Sequence, residues 1–210
     1  MADQFTLYGN QASGPTYKVG LMLALSGQKF AFKHVDLRAG EHKTPAFLAL
    51  NRYGQVPVLS HNARNYCQSA AILQHLAREL GKFGSKDREV RARIREWLYW
   101  DADRLVPGIY RTRAILRGVL NAGPEVETYF RGVAEAGLSV LEQWLGKSPF
   151  LVGDTPTIAD IACFGVCWYA PEAKIELGAK TNIGAWMARI EKLPGFKKPY
   201  DLLPAQDLAA

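Results

Sequence analysis

Residues 55–69 read Gln-Val-Pro-Val-Leu-Ser-His-Asn-Ala-Arg-Asn-Tyr-Cys-Gln-Ser, and this stretch decides the fold class. Val56–Leu59 and Ala63–Cys67 have the length and composition of short strands, and Ser60-His61-Asn62 supplies turn residues at hairpin spacing between them. Ser69 then opens an amphipathic helix that runs to Leu80 and stops at Gly81. Reading back toward the start, Gln4–Tyr8 is a strand, Gly9–Pro15 a loop, Tyr17–Ser26 an amphipathic helix stopped by Gly27, and Phe30–Val35 a second strand. The first helix can therefore cross over between two parallel strands in a right-handed unit. A polar loop over Asp36–Thr44 and a short helix over Pro45–Leu50 complete the order βαβαββα.

Reading forward, the period changes. From Lys86 onward no stretch alternates like a strand, and apolar residues recur at i, i+3 and i+4. The expected division is an α/β domain over residues 1–80, a linker over 81–86 and an all-helical domain over 87–210. Within the second, a long helix over Asp87–Arg117 carries Pro107, which should kink or break it. A helix from Pro124 to Leu145 follows the turn Asn121-Ala122-Gly123. Thr157-Ile158-Ala159-Asp160 resembles a capping box at the head of an apolar helix reaching Trp168, and Asn182–Leu193 makes a last helix before Pro194-Gly195. No internal repeat or low-complexity segment interrupts the chain.

Composition narrows the function classes. The 210 residues are 48% hydrophobic and 22% charged, as in a folded globular protein. The longest uncharged run, around Ile161–Pro171, is far shorter than the ~20 apolar residues a bilayer span requires. The opening residues Met-Ala-Asp-Gln show no apolar leader, so the expectation is a cytoplasmic protein that does not enter a membrane. Three cysteines, Cys67, Cys163 and Cys167, lack CxxC spacing, and no metal site is expected. The net charge of +6 divides into +4 over residues 1–77, +5 over 78–118 and −3 over 119–210. In the middle segment acids and bases interleave at helical spacing, as on a salt-bridged solvated face. No nucleic-acid motif accompanies the charge, so nucleic acid is not an expected partner and a small anionic ligand suits it better.

Several motifs then stand in a recognisable order: Leu7-Tyr8-Gly9, Ser13-Gly14-Pro15-Thr16-Tyr17-Lys18-Val19, Gly40-Glu41-His42-Lys43-Thr44-Pro45, Gln55-Val56-Pro57-Val58-Leu59, Gln68-Ser69-Ala70-Ala71-Ile72-Leu73, and late in the chain Leu193-Pro194-Gly195-Phe196. Together they resemble the cytosolic glutathione transferase family over essentially the whole chain, in wording nearest to bacterial members similar to the theta, nu and phi groups. The resemblance implies a thioredoxin-like first domain, an all-helical second domain, and glutathione as co-substrate. It also implies a homodimer, and conjugation of the thiol to a small hydrophobic electrophile. The alternatives are a glutathione-dependent thiol reductase or lyase, and a non-catalytic binding module on the same fold.

Site residues follow from the same matches. Ser13 is the expected catalytic residue: a hydroxyl at a helix start can donate to a thiolate whose free pKa is ~8.5, though a serine there also serves as a plain helix cap. Tyr8 is the competing hydroxyl and Asn10 a further pocket candidate. The resemblance assigns glutathione contacts to His42, Lys43, Gln55, Val56, Pro57, Gln68 and Ser69, with Pro57 following a cis peptide bond and Ser69 also capping its helix. Gln68 stands where many members carry Glu. Tyr99, Trp100, Asp103, Arg104, Tyr110 and Trp168 are expected around the electrophile, although aromatics spaced like Trp97 and Trp100 are commonly core. Arg52 replaces the usual proline after Asn51 and has no assigned role. Cys67 adjoins the ligand residues.

Overall fold

The computed structural model describes residues 4–209, which divide into two compact units. The first contains the described residues up to Lys82 together with those from Leu193 onward, and the second is Phe83–Lys192. The sequence division placed everything after residue 86 in the helical half. The last segment instead belongs with the sheet, for a reason visible at its edge strand.

In the first unit the elements are β1 Phe5–Gly9, α1 Gly14–Leu25, β2 Ala31–His34, a 3-10 turn Glu41–Lys43, α2 Pro45–Leu50, β3 Val58–His61, β4 Arg64–Cys67, α3 Ser69–Leu80 and, late in the chain, α9 Pro199–Leu202. The sheet runs β2-β1-β3-β4, with β1 parallel to β2 and antiparallel to β3, and β3 antiparallel to β4. This is the expected βαβαββα order of a thioredoxin-like domain.

Three details differ from the sequence reading. The third strand begins at Val58 and not at Val56, because Pro57 has no N–H to give the ladder. The hairpin then closes on two residues, Asn62 and Ala63, at φ of 51° and 58°. Positive φ at both central positions gives a twist that matches the strands. The first helix is not amphipathic: ten of its twelve residues are buried, since it packs on β1, α3 and α9. Finally, Phe32 on the edge strand β2 exchanges backbone hydrogen bonds with Leu208 at 2.7 and 2.9 Å, and Asp207 accepts from Lys33 Nζ and from the His34 N–H, both at 2.8 Å. Asp207 and Leu208 thus cover part of an edge that would otherwise expose unpaired backbone groups.

The second unit is helical: α4 Arg88–Trp100, a π-helical stretch Asp101–Arg111, α5 Thr112–Leu116, α6 Pro124–Leu145, α7 Ile158–Cys167 and α8 Thr181–Glu191. The run expected over Asp87–Arg117 does not break at Pro107. It widens into π turns, which leave room for a ring that lacks an N–H and would crowd an α-helical turn. Its charges are not all solvated either. Glu89, Arg93 and Glu96 pair on the surface, but Asp101 is buried, and Arg113 is buried with its guanidinium on Glu172 at 2.8 Å and over the Tyr169 ring at 4.3 Å. The capping box is present as read: Thr157 caps α7 and Asp160 accepts from the Thr157 N–H at 2.8 Å. Asp160 also accepts from the Leu151 N–H at 2.9 Å and the Trp186 indole at 3.0 Å, so one buried carboxylate ties α7, α8 and the loop before α7. All ten residues of α7 are buried, Cys163 and Cys167 among them.

Candidate functional site

Strand register brings the first unit's expected site residues to one end of the sheet. Gly9 at the end of β1 is level with His34 at the end of β2, Tyr8 with Val58 at the start of β3, and Val58 with Cys67 at the end of β4. The segments holding Ser13, His42 and Lys43, Gln55 to Pro57, and Gln68 with Ser69 therefore all emerge at that end.

Ser13 is the N-cap of α1, its Oγ accepting from the Thr16 N–H at 3.3 Å. A hydroxyl that accepts with a lone pair keeps its O–H to donate, so the capping role and a role toward a thiolate are compatible on one side chain. The preceding loop is built by Asn10, whose Nδ2 donates to the Val35 carbonyl at 3.0 Å, while its Oδ1 accepts from the Ala12 N–H at 3.0 Å. Its carboxamide is committed to the loop. Tyr8 is half-buried against the apolar cluster of Val35, Phe47 and Val58.

Across the sheet end, α3 begins at Ser69. Its N-cap is Gln68 at φ 68°, with no side-chain cap bond. This corrects the expectation that Ser69 caps the helix: Ser69 is the first helical residue, and the first-turn N–H groups have no side-chain acceptor from the cap. Gln68 Nε2 donates to Gln55 Oε1 at 3.1 Å. Gln55 is held in turn by Asn51, which is buried and donates from Nδ2 to the Gln55 carbonyl at 2.6 Å. The Val56–Pro57 peptide bond is cis. Lys43 Nζ reaches the Gly54 carbonyl at 2.8 Å, which joins the 3-10 turn to the same loop. His42 is half-buried, with its Nδ1 enclosed and without a hydrogen-bond partner among the described residues. Burial, with Lys43 beside it, lowers its pKa, so the ring is neutral at neutral pH.

The residues without an assigned role find one in packing. The Arg52 guanidinium donates to the Tyr53 hydroxyl at 2.7 Å and lies over that ring. Cys67 Sγ faces the Leu50 carbonyl at 3.7 Å, and burial raises its pKa despite Arg52, which keeps the thiol protonated. Asn51 braces the loop that carries Gln55. The dipeptide Asn51-Arg52 flagged its position, but a bracket on Gln55 is visible only once the loop has folded back.

In the second unit the six pocket candidates are varied. Tyr99 is 71% exposed on α4. Trp100 meets Trp97 edge-on at 5.1 Å, and Trp97 meets Trp144 at 5.6 Å. Asp103 and Arg104 are exposed and pair with each other at 2.9 Å. Tyr110 donates to the Gly165 carbonyl at 2.8 Å, and burial pushes its pKa well above the usual range. Trp168 is half-buried beside Phe164. Among the described residues no group of three or more His, Cys, Asp or Glu side chains could hold a metal ion, and no helix is long and apolar enough to cross a membrane.

Comparison with known proteins gives the family. Residues 3–78 match the family model for the glutathione S-transferase N-terminal domain, and residues 121–194 the model for its C-terminal domain. Glutathione S-transferase 3 of Zea mays is 29% identical over 212 residues, covering 94% of each chain. The crystal structure of a glutathione S-transferase from Pseudomonas fluorescens superposes with a TM-score of 0.90 at 31% identity, covering 94% of this chain and all of that one. The transferase URE2P6 of Phanerochaete chrysosporium, solved with oxidized glutathione, superposes at 0.85 with 25% identity over 92% of this chain and 93% of its own.

Proposed function

The chain belongs to the glutathione S-transferase family, and we propose from that premise that it binds glutathione at the sheet end, holds its thiol as a thiolate beside Ser13, and adds the sulfur to a small apolar electrophile. The observation that carries the reading is that two helices, α1 and α3, start at the same end of one sheet with a serine at each start. The N-terminus of α3, without a side-chain cap bond, suits the γ-glutamyl carboxylate, with Ser69 as hydroxyl donor. Ser13 gives its O–H to the sulfur, and the positive end of α1 adds to the preference for the anion. Val56, held before Pro57, offers its backbone to the middle of the peptide, and His42, Lys43 and Gln55 lie toward the glycyl end. The electrophile meets a bound, ionised thiol in place of a dilute and mostly protonated one.

A reductase reading is disfavoured by the oxygen of Ser13, since a mixed disulfide needs a protein sulfur, and Cys67 is held protonated. The proposal includes a two-fold homodimer whose seam involves the charged face of α4, and a cytoplasmic location. Retention on immobilised glutathione with turnover of an aryl halide is the expected result. Retention without turnover would reduce the protein to a binding module, and a single-chain mass by light scattering at micromolar protein would remove the dimer.

A further inference from the structure

We infer that Asn10 is the positioning residue of the thiol end of the site: it fixes the turn that aims the Ser13 hydroxyl, and acts on the thiolate only through Ser13. This rests on the reading of Ser13 as the donor to the thiolate and deepens it.

Asn10 closes the connection between β1 and α1 with three hydrogen bonds. Its carbonyl accepts from the Ser13 N–H at 2.9 Å, its Oδ1 accepts from the Ala12 N–H at 3.0 Å, and its Nδ2 donates to the Val35 carbonyl at 3.0 Å. The first two are local and shape the four-residue turn from Asn10 to Ser13. The third reaches across the sheet. Val35 follows β2, and its own N–H donates to the Gly9 carbonyl at 2.7 Å, so the turn is tied to the ends of two parallel strands. One planar amide, with an acceptor on one arm and donors on the other, serves both directions at once.

The other side of Ser13 is held as well. Its Oγ accepts from the Thr16 N–H at 3.3 Å and its carbonyl from the Tyr17 N–H at 2.9 Å. Thr16 is wholly buried against Gly9, where a Cβ would collide with the threonine side chain. Ser13 thus spends its N–H, its carbonyl and one Oγ lone pair on the turn and the helix, and its O–H is left to donate. Hydrogen bonds weaken steeply as the donor angle falls, and a displacement of about 1 Å near a reacting group can cost about a hundredfold in rate. A turn released from Val35 would therefore lose thiolate stabilisation with the Ser13 hydroxyl still in place. The Asn10 amide is spent on backbone groups, so its effect passes through Ser13 and not through contact with the ligand.

A double-mutant cycle in the full chain tests this, with turnover of an aryl halide and the ultraviolet absorbance of bound glutathione thiolate against pH as readouts. Asn10→Ala should lower kcat about tenfold and move the titration midpoint toward that of the free thiol, while the Kd of glutathione changes by less than about threefold. In a Ser13→Ala background the same substitution should change kcat by less than about twofold, because no hydroxyl remains to be aimed. Asn10→Ser keeps an acceptor for the Ala12 N–H and loses the reach to Val35; an intermediate loss of about threefold is expected, and this variant decides the matter if Asn10→Ala does not fold. A merely structural role would lower Tm and leave the midpoint of the folded protein where it is. A parent-like midpoint in the folded Asn10 variants would overturn the inference, and so would an Asn10→Ala loss that persists at full size without the Ser13 hydroxyl. A parent-like midpoint in Ser13→Ala would instead remove the reading of Ser13, and this inference with it.

Discussion

His61 Nδ1 and His75 Nε2 lie 2.9 Å apart in the first unit, both rings buried at 4% and 5% exposure. Phe5 stacks on His61 at 4.5 Å and Tyr66 on His75 at 3.8 Å, so β1, β4 and α3 all meet this pair. Only one proton fits between the two nitrogens, and His61 Nε2 is buried with no hydrogen-bond partner among the described residues. Burial is the main cause that lowers the His75 pKa, with His61 and Arg78 acting in the same direction and Glu79 opposing them. The unfolded state therefore binds the proton more readily than the folded state. The stability is fully present above the unfolded value of about 6.5 and is lost as pH falls from there through the lower folded-state value. The expected result is a Tm that drops as pH falls below about 6.5, with a shallower drop in His75→Gln. His42 contributes in the same direction in both proteins, so parallel curves would remove the role given to His75.

Ser13 has two roles that substitution can separate. Removing the hydroxyl should lower turnover by about ten- to a hundredfold at neutral pH, the worth of a hydrogen bond to a charged acceptor, with partial recovery in alkali. Affinity for glutathione should change far less. Ser13→Ala should also destabilise the fold by about 1 kcal/mol through the lost cap, whereas Ser13→Gly should cost only a few tenths. Matching activity losses with unequal Tm values is the signature; the ultraviolet absorbance of bound thiolate against pH reads the chemistry directly.

At the other helix start, Ser69→Ala removes a donor to the γ-glutamyl carboxylate and no cap bond, because Gln68 occupies the cap. Glutathione affinity should fall by about ten- to a hundredfold at nearly unchanged Tm. Parent-like affinity would mean the carboxylate is bound elsewhere.

Gly108 lets the π-helical stretch approach α6. A Cβ placed there would stand 2.6 Å from both Cα and N of Ala134, backbone atoms that cannot turn aside. Gly108→Ala should therefore cost about 1–3 kcal/mol, a fall in Tm of about 3–10 °C. An unchanged melting curve would show that α6 can shift freely.

Asp160 accepts from the Leu151 and Thr157 backbones and from Trp186 while wholly buried. Asp160→Ala strands three N–H donors at about 1 kcal/mol or more each and also leaves the Thr157 hydroxyl without its acceptor, so the loss should be at least about 3 kcal/mol. Circular dichroism melting would measure it, with a shift no larger than that of a surface substitution counting against the network.

Much of the fold was legible because it is governed by neighbours within one helical turn or one strand pair. The change of period near residue 80, the serine before α1, the capping box at Thr157 and the stop glycines are local signals, and α1, α3, α6 and α7 stand close to where those signals put them. The ordered motifs around Ser13, Gln55 and Gln68 were enough to name the family. What local pattern cannot carry is contact between distant residues. Nothing near Leu208 indicates that it pairs with Phe32, nothing near Pro107 shows that the helix continues as π turns packed on α6 and α7, and nothing in the spacing of His61 and His75 makes them share a proton. The same holds for Gln55 and Gln68, thirteen residues apart, whose amides meet only because β3 and β4 turn back at Asn62 and bring both loops to one end of the sheet. Residue identity determined what chemistry was available, and packing decided which groups face one another, because burial and pairing depend on the whole arrangement of the chain and not on any stretch of it.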